Sequence, residues 1–326
     1  MSAIVVTGAA GFIGSSLCDR LLASGQQVVG VDSFDPFYDR RSKERNLADA
    51  RSSSRFSFIE ADVRDPRIAE RVRAVAPQAS MIVHLAAKAG VRPSIESPRD
   101  YVETNVGGTA ACLELARALR VQHFVFGSSS SVYGNDTPAP FAEDAVALSP
   151  ISPYAASKRA GELLCANWAT VYGLRCVSLR FFTVVGERQR PDLALHAFTK
   201  AILRGDQIRV FGDGSMRRDF TYIQDIVDGI VASLEYVKTL PAGTHDVINL
   251  GGHASVTVLE LIRAIERAAG RRAQLEFAPH PQGDVNQTYA DITKARRVLG
   301  FAPRVQLDEA AARFVGWYRA TMQGVV

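Results

Sequence analysis

The amino-acid sequence predicts an α/β protein with a doubly wound parallel sheet and a smaller C-terminal lobe. The first observation is the alternation, up to about residue 180, of short continuous apolar runs with longer segments of helical spacing. The second is that glycine, acidic or hydroxyl residues directly follow several of these runs. Because ligands bind beyond the carboxyl ends of the strands in such sheets, these residues form the candidate site.

The first apolar run leads into a glycine-rich turn. Residues Ala3 to Thr7 have the pattern of a buried parallel strand, and Gly8, Gly11 and Gly14 follow before a helical segment that Gly25 closes. The spacing is G-x-x-G-x-x-G, which differs from the more common G-x-G-x-x-G. A strand, a glycine turn and a helix in this order predict a Rossmann-type dinucleotide site, with the pyrophosphate at the helix N-terminus.

The second strand, Gln27 to Val31, ends at an acidic residue. Asp32 at this place can bind the ribose hydroxyls of NAD, and its charge would repel the additional phosphate of NADP. Several basic residues come soon afterwards, so binding of NADP stays open at this point. They are Arg40, Arg41, Lys43 and Arg45.

The third and fourth strands bring further candidate cofactor contacts. Phe56 to Glu60 leads into Asp62 and Val63, which we expect near the adenine. Met81 to Leu85 leads into the small residues Ala86 and Ala87, which would let the chain pass close to a cofactor. The following helix, near 100–119, carries Asn105 close to its start.

The central stretch combines a strand, a hydroxyl cluster and a helix. Phe124 to Gly127 is followed by four serines, Ser128 to Ser131, and Pro153 opens a helix that contains Tyr154 and Lys158. A spacing of four places the last two side chains on one helix face, about 5–6 Å apart at Cβ. A Lys ammonium there should lower the Tyr pKa from about 10, and the phenolate beside a serine would transfer protons.

The strand–helix rhythm breaks after residue 186. Arg175 to Arg180 is a further strand, a polar loop follows Gly186, and Ile208 to Phe211 is a short strand before a glycine-rich basic segment. A helix from Ile223 and a strand at Val247 to Leu250 are expected to rejoin the main sheet. We therefore divide the chain into a dinucleotide-binding domain, 1–182 with 221–251 rejoining it, and a substrate lobe, 183–326.

Composition and charge exclude several classes of protein. The chain has 326 residues, of which 47% are hydrophobic and 22% charged, as is ordinary for soluble globular proteins. The net charge of +4 is small and the basic residues are scattered, so we expect no nucleic-acid partner. We expect no signal peptide, because the N-terminus lacks a basic leader and a cleavage site. We expect no membrane contact, because no apolar stretch reaches roughly 20 residues.

The four cysteines lie far apart and include no C-x-x-C pair. Such usage is typical of a reduced, cytoplasmic protein, and it predicts neither a disulfide framework nor a metal site. The cysteines are Cys18, Cys112, Cys165 and Cys176.

Taken together, these motifs resemble the extended short-chain dehydrogenase/reductase family, and within it the nucleotide-sugar epimerases. The resemblance rests on the glycine turn, Asp32, the serine cluster and Tyr154-x-x-x-Lys158, and it extends through Arg217 to Tyr222. It implies a tightly bound NAD and a UDP-sugar substrate. It also implies catalytic roles for Tyr154 as base, Lys158 as its cationic neighbour and Ser129 as proton-sharing hydroxyl.

The resemblance also implies the remaining contacts. Cofactor contacts are expected from Gly8, Gly11, Phe12, Ile13, Gly14, Asp32, Asp62, Val63, Leu85, Ala86, Ala87, Asn105, Ser128, Tyr154, Lys158 and Phe181. Substrate contacts are expected from Arg92, Ser131, Thr183, Arg190, Arg218 and Asp284.

The segments Phe182 to Gly186 and Arg190 to Ala194 are most similar to UDP-glucuronate 4-epimerases. Related dehydratases and decarboxylases carry acids where this chain has Ser130 and Ser131, which disfavours those reactions. Thr183, Arg190 and Arg92 are candidate donors to a uronate carboxylate. The chain departs from the family pattern at Val185, Glu187 and Pro281, in place of Tyr, Pro and a nucleotide-contacting Arg or Gln.

Alternatives stay open at this point. They are a UDP-glucose or UDP-N-acetylglucosamine 4-epimerase, a non-catalytic NAD-binding protein and a net reductase. Relatives usually form homodimers through two helices of each chain, and apolar residues of the helices near 100–119 and 153–172 could supply that contact or belong to the core. They are Leu113, Leu115, Leu119, Leu163, Leu164 and Trp168.

Overall fold

The computed structural model describes residues 2–145, 149–252, 254–279 and 287–322. The strands within these ranges are β1 (Ala3–Thr7), β2 (Gln27–Asp32), β3 (Phe56–Glu60), β4 (Ala79–His84), β5 (His123–Ser129), β6 (Arg175–Phe181), β7 (Thr183–Val185), β8 (Gln207–Phe211), β9 (Arg217–Tyr222), β10 (His245–Leu250), β11 (Ser255–Thr257) and β12 (Gln274–Ala278).

Helices occupy most of the connections between these strands. They are α1 (Phe12–Ala23), α2 (Arg40–Asn46), α3 (Ala48–Arg51), α4 (Ile68–Val75), α5 (Val91–Glu96), α6 (Pro98–Tyr101), α7 (Gly107–Ala118), α8 (Pro153–Tyr172), α9 (Ala194–Arg204), α10 (Ile223–Thr239), α11 (Val258–Ala269), α12 (Thr293–Leu299) and α13 (Leu307–Met322).

Seven parallel strands form the central sheet, in the order β10-β6-β5-β4-β1-β2-β3. The strand order reverses between β1 and β4, and this switch point opens a crevice at their carboxyl ends. Thr7 lies opposite both Val31 and His84 there. The predicted doubly wound sheet is confirmed, and β10 rejoins it beside β6 as expected.

Two hydrophobic clusters cover the faces of this sheet. Alternate strand residues point to opposite faces, so Val6 belongs to one cluster and Val5 to the other. α1 and α10 pack on the first face, and α4, α7 and α8 lie on the second. Because helices cover both faces, the side chains on both sides of each strand are buried, and the strands are therefore continuous apolar runs in the sequence.

The C-terminal lobe contains two small sheets. One has the order β11-β9-β7 and the other pairs β12 with β8. The sequence predicted β8 but not β7 or β9, because these strands are short or polar and are formed mainly by pairing with each other. The glycine-rich basic segment therefore ends in a strand from Arg217 onward.

Three further observations complete the fold. The helix predicted near 100–119 contains a π-helical turn at Val102–Val106, which includes Asn105. All four cysteines are free and buried. Within the described ranges, none of the helices is long and apolar enough to cross a bilayer, and no cluster of three or more His, Cys, Asp or Glu could hold a metal ion.

Candidate active site

The glycine turn between β1 and α1 packs against the segment that follows β4. Gly8 has a φ of +71°, and a Cβ there would lie 2.8 Å from the Ala86 backbone nitrogen. A Cβ on Gly14 would lie 2.1 Å from the Gly8 carbonyl oxygen. Both positions therefore require glycine, and the turn brings backbone close to any group bound in the crevice.

The N-terminus of α1 is suited to an anion. Gly11 is the N-cap residue and supplies no side-chain cap, so the first amides of the helix point toward the crevice. The Phe12 ring is buried in the core, which leaves its backbone amide for contacts, while Ile13 is only partly buried. The residues present thus fit the pyrophosphate of a dinucleotide.

Asp32 lies at the end of β2 with its carboxylate fixed in place. Its oxygens accept hydrogen bonds from Ala10 N at 3.0 Å and from Phe34 N at 2.8 Å. Burial raises the pKa of Asp32, and the charge of Lys43 opposes that shift. The remaining lone pairs of the carboxylate are placed to accept from ribose hydroxyls, as the sequence predicts.

Two of the basic residues after Asp32, Arg40 and Lys43, have other partners. Arg40 forms two hydrogen bonds of 2.8 Å with the Glu60 carboxylate and a third with Glu44. Lys43 donates to the Asp35 carbonyl oxygen at 2.8 Å. These contacts leave Arg40 less available to an additional phosphate, which favours NAD over NADP.

Asp62 is engaged with its neighbour on the chain. Its carboxylate accepts from the Arg64 backbone N, Nε and Nη2 at 2.6–2.9 Å, which lowers the Asp62 pKa. Val63 is buried, and a Cβ on Gly108 would lie 3.3 Å from it. An adenine contact from Asp62 and Val63 stays a prediction.

A buried polar network supports the segment after β4. His84 contacts the Thr7 hydroxyl at 2.7 Å through Nδ1 and the Thr109 hydroxyl at 3.2 Å through Nε2. The Ala86 amide donates to Thr7 Oγ1 at 3.3 Å. Burial lowers the pKa of His84 to about 3, so a neutral imidazole joins β1, β4 and α7 beneath the site.

Asn105 holds the chain rather than facing the crevice. Its Oδ1 accepts from Lys88 N at 2.8 Å, and its Nδ2 donates to Lys88 O and to Ser157 Oγ, both at 2.9 Å. The amide is therefore used within the protein, and a direct side-chain contact to a cofactor is not favoured. Its π-helical turn presents it to the segment that includes Ala86 and Ala87.

Tyr154 and Ser129 meet at the carboxyl end of β5. Ser152 caps α8 by accepting from the Ala155 amide, and Pro153 begins the helix, which presents Tyr154 toward β5. Burial raises the pKa of Tyr154, and a hydrogen bond between Ser129 and the phenol opposes that shift. Ser131 completes a hydroxyl chain, since its Oγ accepts from Ser129 Oγ at 3.1 Å.

Lys158 lies on the same face of α8 but is directed to the strand. Its Nζ donates to the Gly127 carbonyl oxygen at 2.6 Å, and burial lowers its pKa to about 8. The side chains of Leu85 and Phe181 approach Gly127 so closely that a Cβ there would lie 2.9 and 3.2 Å from them. Lys158, Leu85 and Phe181 therefore pack around Gly127 in β5.

The pKa of Tyr154 is raised, whereas the sequence analysis predicted that it would be lowered. Burial is the largest influence and raises the pKa, while Ser129 and the charge of Arg190 lower it. The cation acting on the phenol is thus Arg190 rather than Lys158, whose ammonium is directed to Gly127 O. The four-residue spacing gave the shared face correctly but could not show which cation the fold brings to the phenol.

The Ser128 side chain was expected to contact the cofactor, but it is hydrogen-bonded within the protein. It donates to Glu162 Oε1 at 2.7 Å, and Arg180 binds the same carboxylate through two hydrogen bonds of 2.8 and 3.0 Å. Arg159 adds a third cationic contact at 2.9 Å. Glu162 was missed from the sequence, although it follows Lys158 by four residues on the same helix face.

Two of the candidate substrate residues are arginines that contact aromatic rings. Arg190 binds Asp192 through two hydrogen bonds of 2.9 and 2.8 Å, and its guanidinium lies 5.3 Å from the Phe37 ring centroid. Arg92 lies 4.3 Å from the centroid of the Phe211 ring, in β8. Neither aromatic contact was predicted from the sequence.

Two other residues predicted to contact the substrate, Thr183 and Arg218, lie in the small sheet β11-β9-β7. Thr183 begins β7, is half-buried and pairs with Phe220. Arg218 lies in β9 and donates to the Arg217 carbonyl oxygen at 2.9 Å. Asp284 and the departure at Pro281 lie outside the described residues.

The other two departures from the family pattern lie beside β7. Val185 is buried there, paired with Tyr222. The Glu187 carboxylate accepts from the Tyr222 hydroxyl at 2.7 and 2.9 Å. Glu187, which stands in place of proline, therefore provides a hydrogen-bond acceptor for the part-buried Tyr222 hydroxyl.

Comparison with known proteins gives a consistent picture. Residues 4–251 match the NAD dependent epimerase/dehydratase family. The chain is 40% identical to a probable UDP-glucuronate 4-epimerase of Rhizobium meliloti, over 96% of each chain. It is 38% identical to a UDP-glucuronate 4-epimerase of Thermodesulfobacterium geofontis, over 99% of this chain and 98% of that protein.

Solved structures are similar as well. The UDP-glucuronic acid 4-epimerase of Bacillus cereus, in complex with UDP-glucuronic acid and NAD, has a TM-score of 0.90 and 37% identity over 98% of this chain and 99% of that chain. A UDP-glucose 4-epimerase of Thermotoga maritima has a TM-score of 0.88 and 31% identity over 98% of this chain and 100% of that chain.

Replacing Gly14 by alanine should strongly weaken dinucleotide binding. The new Cβ would lie 2.1 Å from the Gly8 carbonyl oxygen, so the turn has to open. We expect the dissociation constant, measured by calorimetry, to rise at least about 100-fold. Gly316→Ala in α13 is the matched control, because nothing lies within 4 Å of its Cβ. Unchanged binding by Gly14→Ala would contradict this account of the turn.

The buried His84 predicts an acid-sensitive fold. Its folded pKa of about 3 lies below the ordinary 6.5, so between these values the unfolded chain binds more protons and stability falls as the pH falls. At pH 4.5 this one group should cost about 3 kcal/mol relative to pH 8.

Urea unfolding of wild type and His84→Gln at pH 8 and pH 4.5 checks this expectation. The glutamine retains a donor and an acceptor but does not titrate, so the variant should lose less stability on acidification. The comparison at pH 8, where imidazole is neutral in both states, supplies the control. Equal pH dependence of the two proteins would show that His84 is not the responsible group.

Proposed function

We propose that the chain, which belongs to the NAD dependent epimerase/dehydratase family, is an isomerase that interconverts UDP-glucuronate and UDP-galacturonate at C4 with NAD as cofactor. The observation that carries this proposal is the Ser129–Tyr154 hydrogen bond at the sheet edge that also bears the glycine turn. An acid–base pair and a dinucleotide site there suit reversible oxidation of a sugar hydroxyl.

In the proposed reaction Tyr154 accepts the proton of the C4 hydroxyl and later returns it. Ser129 hydrogen-bonds to the phenol and, with Ser131, orients the sugar hydroxyl. The turn from Gly8 to Gly14 and Asp32 would hold NAD, which, when bound, takes a hydride from C4 and returns it to the other face of the sugar. The hydrogen bond from Lys158 to the Gly127 carbonyl oxygen helps to fix the position of α8 against β5.

The residue types at four positions favour a uronate as the substrate. Ser130 and Ser131 stand where related dehydratases or decarboxylases carry acids, so those reactions lack their acid–base group. The Arg190 guanidinium uses Nε and Nη2 on Asp192, so its Nη1 edge is the part that would bind a sugar carboxylate. Thr183 begins β7, the strand before this loop. Holding the carboxylate is also chemically necessary, because a 4-keto uronate is a β-keto acid that can lose CO2.

A neutral UDP-sugar is the second candidate substrate. The similarity to the UDP-glucose 4-epimerase of Thermotoga maritima supports it. The Asp192 carboxylate that holds Arg190 would also allow the guanidinium to remain paired beside an uncharged sugar.

Proton NMR of purified protein with UDP-glucuronate, and in parallel with UDP-glucose, tests these candidates. We expect conversion of the uronate to its C4 epimer and a decrease in kcat of about 10²–10⁴ for Tyr154→Phe, which removes the proton-transfer group. The Arg99→Ala variant, altered at an exposed ion pair, should keep full activity. Conversion of the neutral sugar alone would overturn the uronate assignment, and full activity of Tyr154→Phe would overturn the mechanism.

We also propose how the chain is organised around this reaction. Residues 183–326, apart from 221–251 in the main sheet, would bind the nucleotide sugar. A cytoplasmic location is supported by the four free thiols, and cell fractionation would check it.

A homodimer through the α7 and α8 region is part of the proposal. Leu113 and Leu115 are core residues and cannot supply the contact, but Leu163 and Val171 of α8 are 55% and 58% exposed. Val102, in the turn before α7, is 51% exposed. Apolar side chains left in water along neighbouring segments favour association.

Leu163→Glu should therefore shift the protein from dimer to monomer, because a carboxylate would be buried in the contact. Sedimentation of wild type should give twice the 35.4 kDa chain mass and that of the variant the single mass. Val75→Glu, at an exposed apolar residue of α4, is the control and should leave the mass unchanged. A monomeric wild type would rule out this interface.

A further inference from the structure

The loop between β7 and α9 contains an unusual backbone conformation. Arg188 has a φ of +65°, in the left-handed region that favours glycine, and Gly186 just before it has a φ of +139°. An arginine in this conformation is strained, and such strain persists only where the surroundings enforce it. The contacts of the Arg188 side chain identify those surroundings.

The Arg188 guanidinium bridges two helices of the dinucleotide-binding part. Nη1 lies 2.6 Å from Asp19 Oδ2 in α1, and Nη2 lies 3.2 Å from Asp49 Oδ2 in α3. The Arg188 side chain is 18% exposed and that of Asp49 is 80% exposed, so the contact to Asp19 is the more protected one. Since α1 begins at the glycine turn, Arg188 ties the loop to the helix that carries the cofactor site.

The next residues of the loop are fixed by a second set of contacts. The buried Gln189 side chain donates to the Val184 carbonyl oxygen at 2.8 Å and accepts from the His196 amide at 3.2 Å. Arg190 then pairs with Asp192, and its charge acts on the Tyr154 phenol. The loop thus runs from the α1 contact to the catalytic tyrosine within three residues.

We propose that Arg188 is a positioning residue: by anchoring the loop to Asp19 and Asp49, it holds Arg190 where it can select a substrate carboxylate. This inference rests on the proposed function, because it assigns the selection to a UDP-uronate. Arg188 itself touches neither sugar nor cofactor. Releasing it should let Arg190 move away from Tyr154 and weaken recognition of the charged sugar in particular.

Calorimetric binding of UDP-glucuronate and UDP-glucose tests the proposal, together with KM and kcat for the uronate. Arg188→Ala should weaken binding of UDP-glucuronate about ten-fold, as expected for one charged hydrogen-bonded contact, and change UDP-glucose binding less than about two-fold. The KM for the uronate should rise more than kcat falls. A merely structural defect would weaken both ligands together.

Two further variants separate the effect of losing the Arg188 side chain from the effects of backbone strain and of poor folding. Arg188→Gly relieves the left-handed conformation and should show the same loss of selectivity as alanine. Arg188→Ala combined with Asp19→Asn removes the uncompensated charge left beside α1, so it keeps the test usable if the single variant folds poorly. Arg99→Ala, at a surface ion pair with Glu103, is the control and should bind both ligands normally.

The outcomes distinguish the inference from the function on which it rests. A wild type that selects the uronate, with Arg188→Ala and the double variant equally selective, overturns the positioning role alone. Equal weakening of both ligands, or restored selectivity in Arg188→Gly, overturns it as well. A wild type that does not distinguish the two sugars overturns both the uronate assignment and the inference.

Discussion

The buried Glu162 carboxylate holds α8, which carries Tyr154, against the ends of β5 and β6. Glu162 of α8 accepts hydrogen bonds from Ser128 at the end of β5 and from Arg180 in β6, and Arg159 adds a contact from the surface side. Removing one partner of such a pair typically costs 3–5 kcal/mol, because the other charge stays buried. This cluster fixes α8 against β5 and β6, and with it the position of Tyr154 relative to the adjoining serine hydroxyls.

The electrostatic state of the phenol follows from that position. Burial alone disfavours a phenolate, and the opposing influences come from the Ser129 hydroxyl and the Arg190 charge. Lys158 is buried with a lowered pKa and is bonded to the strand backbone at Gly127. In the proposed reaction Arg190 would bind the sugar carboxylate and would also lower the pKa of the base, so one guanidinium would couple substrate recognition to proton transfer.

The crevice joins parts of the chain that are distant in sequence. The glycine turn closes against Ala86 after β4, and His84 beneath it joins β1 to α7 through two hydroxyls. On the other side, the loop after β7 returns to α1 through Arg188. Because these contacts converge on the first βα unit, the glycine turn, the segment after β4 and the loop after β7 form one connected structure.

The sequence by itself determined the parallel sheet, the glycine turn from Gly8 to Gly14, and the shared helix face of Tyr154 and Lys158. These features follow from periodicity and backbone sterics, which act over a few residues. The tertiary structure alone decided that Asn105 and Ser128 bond within the protein, and that burial governs the Tyr154 pKa. Hydrogen-bond partners and desolvation depend on which distant segments meet, and no local pattern carries that information.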